Sequence, residues 1–158
     1  MADIFELMLS VDLCDEVSEE ELAELRWHLG LGPQPEVLRI VTDFPFVAED
    51  EHGEPVVENC PEPLLAQRGE ACKVQGEAVS VLARKQDTQC AAWALVSRQE
   101  IHPEDFERTG ELLTWLAHRA GDPHRRPDGG VALGWTRFHE ETEHEVLVVS
   151  DGAVGWPS

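Results

Sequence analysis

The sequence contains no tyrosine and only two lysines, and basic residues of any kind are scarce. Lys and Arg together number 12 against 32 Asp and Glu, which gives a formal net charge of -20. A surface this acidic repels the phosphates of nucleic acids and of anionic lipids. We therefore expect neither nucleic acid nor membrane among its partners, whereas a basic protein would be attracted to it.

Long apolar runs are also missing. No stretch approaches the roughly 18 consecutive apolar residues of a membrane-spanning helix. The N-terminal segment, residues 1–6, lacks the basic region of a secretory signal. The sequence therefore predicts a cytoplasmic protein. With 158 residues and 42% hydrophobic content, the chain is long enough to bury its own core, so we expect a single domain over residues 1–158.

The four cysteines show no metal-binding spacing. Cys14, Cys60, Cys72 and Cys90 form no Cys-x-x-Cys pair and have no paired histidines nearby. Scattered cysteines in a chain without a secretory signal are typical of reduced, structural thiols. The pattern therefore disfavours zinc, and we predict no cofactor.

Two segments of the chain resemble each other. A shift of 88 positions places four large apolar residues of the first half on counterparts in the second half: Phe5 on Trp93, Leu7 on Leu95, Leu25 on Leu113 and Trp27 on Trp115. Ordered matches of this kind indicate an internal duplication. Repeat one covers about residues 4–85 and repeat two about residues 92–157; two similar units arising by chance are the alternative.

Repeat one begins with an alternating strand over residues 4–12, which places Phe5 and Leu7 on one face and Glu6 on the other. A helix follows, because Ser18 and Glu21 have the spacing of a capping box. A second strand is predicted from Val37 to Phe44, ending at Pro45.

An acidic inserted loop at about residues 48–66 separates this part from a hairpin over residues 72–85 that turns at Gly76-Glu77. Acidic residues and prolines from 49 to 63, without apolar periodicity, indicate a surface loop. Because it lengthens one copy only, this insertion is a candidate place for function; the alternative is a tolerated, disordered excursion of the chain.

Repeat two has the same order of elements. A strand over residues 92–100 leads to a helix that begins at His102-Pro103 and ends at Gly121. A strand over residues 131–140 and a hairpin over residues 146–156, turning at Asp151-Gly152, complete it.

Two βαβββ units predict an α+β fold with a curved, mostly antiparallel sheet of about eight strands and two helices on one face. This element order resembles the paired βαβββ fold of the glyoxalase and vicinal-oxygen-chelate family. The resemblance implies metal-dependent chemistry with His and Glu ligands from the concave strands. The matching strand positions here offer Glu6, Met8, Ala94 and Val96, which do not make that ligand set. A duplicated fold of βαββ repeats with a ligand cleft between the halves is a second possibility.

The sheet face opposite the helices supplies the candidate site. An apolar floor would lie beneath Glu6, Arg98 and Arg137, formed by Met8, Val96 and Trp135. Such a floor with two guanidinium groups suits a small polar or anionic ligand. The alternative is a solvated sheet face whose charges pair across strands.

Two histidines flank an acidic turn, in the sequence His139-Glu140-Glu141-Thr142-Glu143-His144. Two imidazoles and a carboxylate can hold a divalent ion, but histidines beside an acidic surface turn are usually solvated, so we predict no metal site. No residue set in the sequence marks a catalytic centre. The sequence favours a non-catalytic acidic protein that recognises a basic protein partner; the alternative is a small-molecule-binding protein or enzyme using a cleft between the two repeats.

Overall fold

A computed structural model describes residues 3–14, 16–85 and 92–157. These described residues form two α-helices, α1 (Glu19–His28) and α2 (Phe106–Arg119), and nine strands. The strands are β1 (Phe5–Leu13), β2 (Pro45–Glu49), β3 (Pro55–Asn59), β4 (Gly69–Glu70), β5 (Glu77–Arg84), β6 (Trp93–Ile101), β7 (Val131–Phe138), β8 (Glu145–Ser150) and β9 (Ala153–Val154).

Seven strands form one sheet in the order β4-β5-β6-β1-β7-β8-β9, and every paired neighbour is antiparallel. β2 and β3 pair only with each other. The α+β class, the mostly antiparallel sheet and the two helices predicted from the sequence are confirmed. Among the described residues, neither helix has the length and apolar content needed to cross a bilayer.

Alternation along β1 builds the core. Leu7, Leu9, Val11 and Leu13 are buried on one face of the strand. They share a single hydrophobic cluster with Leu25 and Leu29 at α1 and with Leu112, Leu113 and Leu116 of α2. The helices themselves are joined by Glu21, whose carboxylate accepts hydrogen bonds from Nε1 of Trp115 at 2.5 Å and from Arg119 at 3.1 Å. Both helices therefore cover the face of the sheet that holds Leu7.

The N-terminus of α1 lies where the sequence predicts it. Ser18 is the N-cap, its hydroxyl accepts from the Glu21 backbone N–H, and the Glu21 carboxylate accepts from the Ser18 N–H. The predicted capping box is confirmed. Partial burial raises the pKa of the Glu21 carboxyl, but its hydrogen bonds to Trp115 and Ser18 and the charge of Arg119 together lower that pKa below its ordinary value.

One glycine fixes the contact between β1 and β7. Gly134 lies opposite Leu9, at a register shift between Ala132 and Gly134 where β7 also pairs with β8. Its φ of 157° and its close approach to β1 leave no room for a side chain, because an added Cβ would lie 1.8 Å from the Met8 carbonyl oxygen. Only glycine permits this approach of the two backbones.

Three predicted elements are wrong in detail. Residues 37–44 form bends and not a strand, and Pro45 begins β2 instead of ending a strand. The predicted acidic loop at 48–66 contains most of the β2–β3 hairpin. The first arm predicted for the hairpin over 72–85 is also absent: β5 pairs with the two-residue β4 at Gly69–Glu70, before that range.

The cysteines differ in exposure. Cys60 and Cys72 are exposed thiols and Cys14 is partly buried, so the structural role predicted for these side chains does not fit Cys60 or Cys72. Cys90, included in the same prediction, lies outside the described residues.

Candidate functional site

The five residues predicted to form a site do converge on one sheet face. Met8 of β1 pairs with Arg98 on one side and with Trp135 on the other, and Glu6 pairs with Arg137. Directly paired residues of antiparallel strands project to the same face. The set therefore occupies two adjacent rows on the side of the sheet away from the helices, called here the open face.

Glu6 links the two cationic residues. It is buried, and its carboxylate oxygens form ion pairs with both guanidinium groups: Oε2 with Arg98, and Oε1 with Nε of Arg137 at 2.9 Å. Each arginine is itself mostly covered, with 21% and 18% of the side chain exposed for Arg98 and Arg137. The charges therefore pair across the strands, as the alternative interpretation of this face predicts.

Other donors of the two guanidinium groups bond to main-chain carbonyls. Arg98 donates to the carbonyl oxygens of Gln75 and of Glu77, the latter at 2.9 Å. Arg137 donates to the carbonyl oxygen of Glu141 at 2.5 Å, with two longer contacts of 3.5 Å to main-chain carbonyls. These bonds tie the loop before β5 and the turn after β7 to the sheet, so the two arginines act as structural cross-links.

The apolar part of the open face is a band on the sheet surface. One row of paired residues crosses β5, β6, β1, β7 and β8 and consists of Val79, Arg98, Met8, Trp135 and Val146. His144 lies over the Trp135 ring, with ring centroids 4.1 Å apart. A cavity of about 450 Å³ near the end of β7 includes Arg137 but none of the other four predicted residues.

Glu100 closes one end of the open face. Its carboxylate accepts hydrogen bonds from the backbone N–H groups of Cys72, Lys73 and Val74 at 2.6, 2.7 and 3.3 Å. Partial burial raises the pKa of this carboxyl, but the three donors and the charge of Arg98 together lower it below its ordinary value. The carboxylate form therefore holds the 72–74 loop in place.

A second carboxylate–backbone cluster lies beneath α1. Glu24 is fully buried and accepts from the N–H groups of Arg39, Ile40 and Val41 at 2.5, 2.8 and 2.9 Å. His28 donates from Nε2 to the same carboxylate at 3.1 Å. Burial lowers the pKa of His28 below its ordinary value even though Glu24 favours the imidazolium. Since both side chains are inaccessible, this pair stabilises the fold and does not meet a substrate.

The histidines around the acidic turn lie apart. His139 stacks on Phe138 and His144 packs on Trp135. Within residues 3–14, 16–85 and 92–157, no three His, Cys, Asp or Glu side chains are grouped closely enough to hold a metal ion.

Among the described residues, the β2–β3 hairpin carries four of the nine exposed large apolar side chains. Phe46, Val47, Val56 and Val57 are 55, 65, 38 and 68% exposed. Val47 and Val57 are direct partners and project to one face, while Phe46 and Val56, one position away on each strand, project to the other. Both faces of the hairpin are therefore open to solvent.

Contacts at its base attach this hairpin to the fold. Phe44 is fully buried, and its N–H and carbonyl bond to Oδ1 of Asn59 and to the N–H of Cys60 at 2.7 and 2.8 Å. Arg108 of α2 donates to the Pro45 carbonyl at 2.7 Å. The hairpin thus projects from a fixed base.

The segment that contains the β2–β3 hairpin carries acidic residues and no Lys or Arg. Between Arg39 and Arg68 the sequence contains no Lys or Arg and seven acidic residues: Asp43, Glu49, Asp50, Glu51, Glu54, Glu58 and Glu62. Among the described residues, Glu62 has an ion-pair partner, Arg108 at 3.5 Å, whereas the five from Glu49 to Glu58 have none within 4.0 Å. Asp50 instead accepts from the N–H groups of His52 and Glu54 and so shapes the turn.

The acidic character of this segment is evident from its sequence, whereas its exposed apolar side chains are not among the predicted site residues. The sequence signal for this hairpin was short: Phe46-Val47-Ala48 and Val56-Val57 flank a turn that contains Asp50 and Gly53.

Comparison of the chain with models of protein families, with curated proteins and with solved structures found no match. The resemblance to the vicinal-oxygen-chelate family stays a prediction.

Proposed function

We propose that this protein is a non-catalytic interaction protein that uses the β2–β3 hairpin to bind a basic partner protein. The observation that carries the proposal is the exposure of four large apolar side chains on both faces of a two-stranded hairpin. An isolated hairpin of this size is marginally stable in water. Grouped exposed apolar residues with a polar border are typical of protein contact sites.

Charge defines the chemistry of the partner. The five carboxylates from Glu49 to Glu58 lie on the two strands and the turn that carry the apolar residues, so a complementary surface combines Lys or Arg with an apolar patch. Full burial of a Val or Phe side chain stabilises a complex by about 1.5–3 kcal/mol before the costs of association. Valines 47 and 57 therefore supply affinity, while the carboxylates supply steering and specificity.

The open face supports the alternative function less well. Its two arginines are bonded to Glu6 and to carbonyl oxygens, which leaves little positive charge for a small anionic ligand. The ion pairs instead give this face a structural role. No observation favours a catalytic use of the cleft between the proposed repeats.

The experiment compares two pairs of valines. Immobilised protein is exposed to cytoplasmic extract, because a cytoplasmic location stays our prediction, and captured proteins are quantified by mass spectrometry. The test variant is V47S/V57S in the hairpin. The matched control is V79S/V81S, since these valines are exposed at 39 and 49% on the open face. We expect a basic protein to be lost with the hairpin variant and retained with the control.

Salt provides the second readout. The Debye screening length falls from about 10 Å at 0.1 M to about 3 Å at 1 M ionic strength. The amount of captured protein is therefore expected to fall steeply as the salt concentration rises. The proposal is contradicted if every captured protein binds the hairpin variant and the control variant equally. It is also contradicted if the amount captured does not depend on salt.

We also propose that the two halves arose by duplication. A shift of 88 places β1 on β6, both nine residues long, and each strand is followed by a helix. In the sheet, Leu9 of β1 pairs with Ser97, its own counterpart under that shift. The backbones of residues 5–28 and 93–116 are expected to superpose about a twofold axis through this pair, as an experimental structure can test.

A further inference from the structure

The cavity of about 450 Å³ lies between the start of β1, the N-terminus of α2 and the turn after β7. Three of its lining residues are aromatic: Phe5, Phe106 and Phe138. The Phe5 ring centroid is 5.6 Å from that of Phe106 and 5.3 Å from that of Phe138, with ring planes inclined at 56° and 55°. The three rings therefore form one aromatic cluster that lines the cavity.

Two of the three rings are stacked on neighbouring side chains. Trp156 stacks on Phe106 with parallel rings at a centroid distance of 4.3 Å. Phe138 stacks on His139 in a similar way, with centroids 4.7 Å apart. Each of these two rings is therefore fixed by a neighbour in the chain, so the site does not need to order them when a ligand enters.

The rim of the cavity is acidic. Four exposed carboxylates line it, those of Asp3, Glu141, Glu143 and Glu145. One cation, Arg137, also lines the cavity, but its guanidinium is paired with Glu6 at 2.9 Å and bonded to the Glu141 carbonyl at 2.5 Å. The positive end of the α2 dipole is opposed by Glu104 and Asp105 in the turn before it. The net field at the mouth therefore favours a cation.

We propose that this cavity binds an organic cation that carries a trimethylammonium group. Aromatic faces attract cations through the quadrupole of the ring, and methylated ammonium groups suit them because their apolar surface replaces water at little cost. A bare metal ion would need several ligand side chains close together, and among the described residues no three His, Cys, Asp or Glu side chains are grouped in that way. The volume falls within the range of about 300–1,000 Å³ usual for small-molecule sites. The proposal does not rest on the β2–β3 hairpin or on its partner.

Choline and its neutral isostere 3,3-dimethylbutan-1-ol form the first test, because they differ in charge and hardly in shape. We expect choline to bind about tenfold more tightly or better in calorimetric titration, since the cation–π and Coulomb terms together exceed about 1.4 kcal/mol. The choline methyl proton resonance is expected to move upfield through the ring currents of the phenylalanines. Equal affinities, or an unshifted methyl signal, would overturn the proposal.

A charge-matched pair of variants forms the second test. E141Q/E143Q/E145Q removes three rim carboxylates, and E49Q/E51Q/E54Q removes three from the β2–β3 hairpin; all six side chains are exposed, so both variants are expected to fold. We expect the rim variant to bind choline about tenfold more weakly and the hairpin variant to bind as the parent does. Equal weakening by both variants would assign the effect to net charge and overturn the site.

A third measurement separates two sources of the same group. Free choline and a peptide containing trimethyllysine present identical headgroups on different carriers. Tighter binding of the peptide, lost with E141Q/E143Q/E145Q, assigns the site to a modified protein; tighter binding of choline, lost in the same way, assigns it to a small molecule. If neither probe distinguishes the rim variant from its parent, the cavity is not a cation site.

Discussion

The Glu24 carboxylate accepts a hydrogen bond of 3.1 Å from Nε2 of His28, one turn further along α1, and neither side chain is exposed. Because a carboxylate only accepts, His28 carries its proton on Nε2. Its Nδ1 is buried and has no hydrogen-bond partner among the described residues. The pair therefore keeps a neutral imidazole in the core beside a carboxylate that also binds three backbone N–H groups.

Removing the Glu24 carboxylate should be costly. In E24A, three backbone donors and the His28 donor lose their buried acceptor, and we expect the free energy of unfolding to fall by about 3–5 kcal/mol. Urea unfolding followed by circular dichroism measures it. The control is E20A on the exposed side of α1, where only interaction with the helix dipole is lost and the change should stay below about 1 kcal/mol. Similar losses in the two variants would contradict the structural role of Glu24.

Stability should depend on the protonation of His28. Burial lowers the pKa of this imidazole below 6.5, its ordinary value, although Glu24 opposes the shift. The unfolded chain therefore binds a proton at a higher pH than the folded chain. The stabilising contribution is complete above pH 6.5 and is lost as pH falls from there through the lowered pKa.

The measurement compares the parent and H28Q by urea unfolding between pH 7.5 and pH 5. Every other residue is common to both proteins, so its contribution cancels in the difference. We expect the parent to lose stability relative to H28Q as the pH falls below about 6.5. Parallel stability curves across the whole interval would show that His28 does not couple folding to pH.

Sequence reasoning succeeded where the determining contacts are local. The capping box of Ser18 and Glu21 and the turn at Asp151-Gly152 each depend on residues within a few positions of one another. Alternation of apolar residues likewise located β1 and β6 to within one residue at each end. Alternation placed Glu6 and Arg98 on one face, whereas the strand pairing that brings Arg137 to them is seen only in the structure.

It failed where a distant carboxylate binds the backbone. Residues 39–41 alternate like a strand, but Glu24 takes up their N–H groups, so no neighbouring strand can use them. Glu100 does the same to residues 72–74, which were predicted as an arm of a hairpin. Neither glutamate is close in sequence to the segment that it holds, and no local pattern reveals such a bond. The aromatic cavity was missed for the same reason, because Phe5, Phe106 and Phe138 come from three separate elements.

Gly134 should tolerate no side chain. An added Cβ would lie 1.8 Å from the Met8 carbonyl oxygen, so G134A must separate β1 from β7. We expect a loss of more than about 3 kcal/mol in the free energy of unfolding, since a strained backbone and broken strand pairing act together.

The control for this substitution is G53A in the turn of the β2–β3 hairpin. Gly53 has a φ of 75° but nothing within 4 Å of an added Cβ. Its cost should therefore be limited to the backbone preference, about 1 kcal/mol. If G134A unfolds at the same urea concentration as G53A, the close approach of the two strands is wrong.

The projecting part of the β2–β3 hairpin should be dispensable for folding. Replacing residues 47–57 by Asn-Gly joins Phe46 to Glu58, which are direct partners, through a favoured two-residue turn. The anchors at Phe44, Asn59 and Arg108 remain. We expect the free energy of unfolding to change by less than about 1 kcal/mol, because shortening a loop alters its closure entropy only slightly. Loss of the cooperative thermal transition would show that the projecting strands are part of the frame.

The order of strands in the main sheet determines when each strand can find its partner during synthesis of the chain. β1 lies at the centre of the sheet, yet both of its neighbours, β6 and β7, belong to the second half of the sequence. At a synthesis rate of roughly 5–20 residues per second, Leu7 and Leu9 wait on the order of ten seconds before the strand that pairs with β1 is made. Throughout that interval the N-terminal half presents an unpaired, apolar strand. An N-terminal fragment ending before β6 is therefore a natural client for chaperones, and the fold closes only after the later half has been translated.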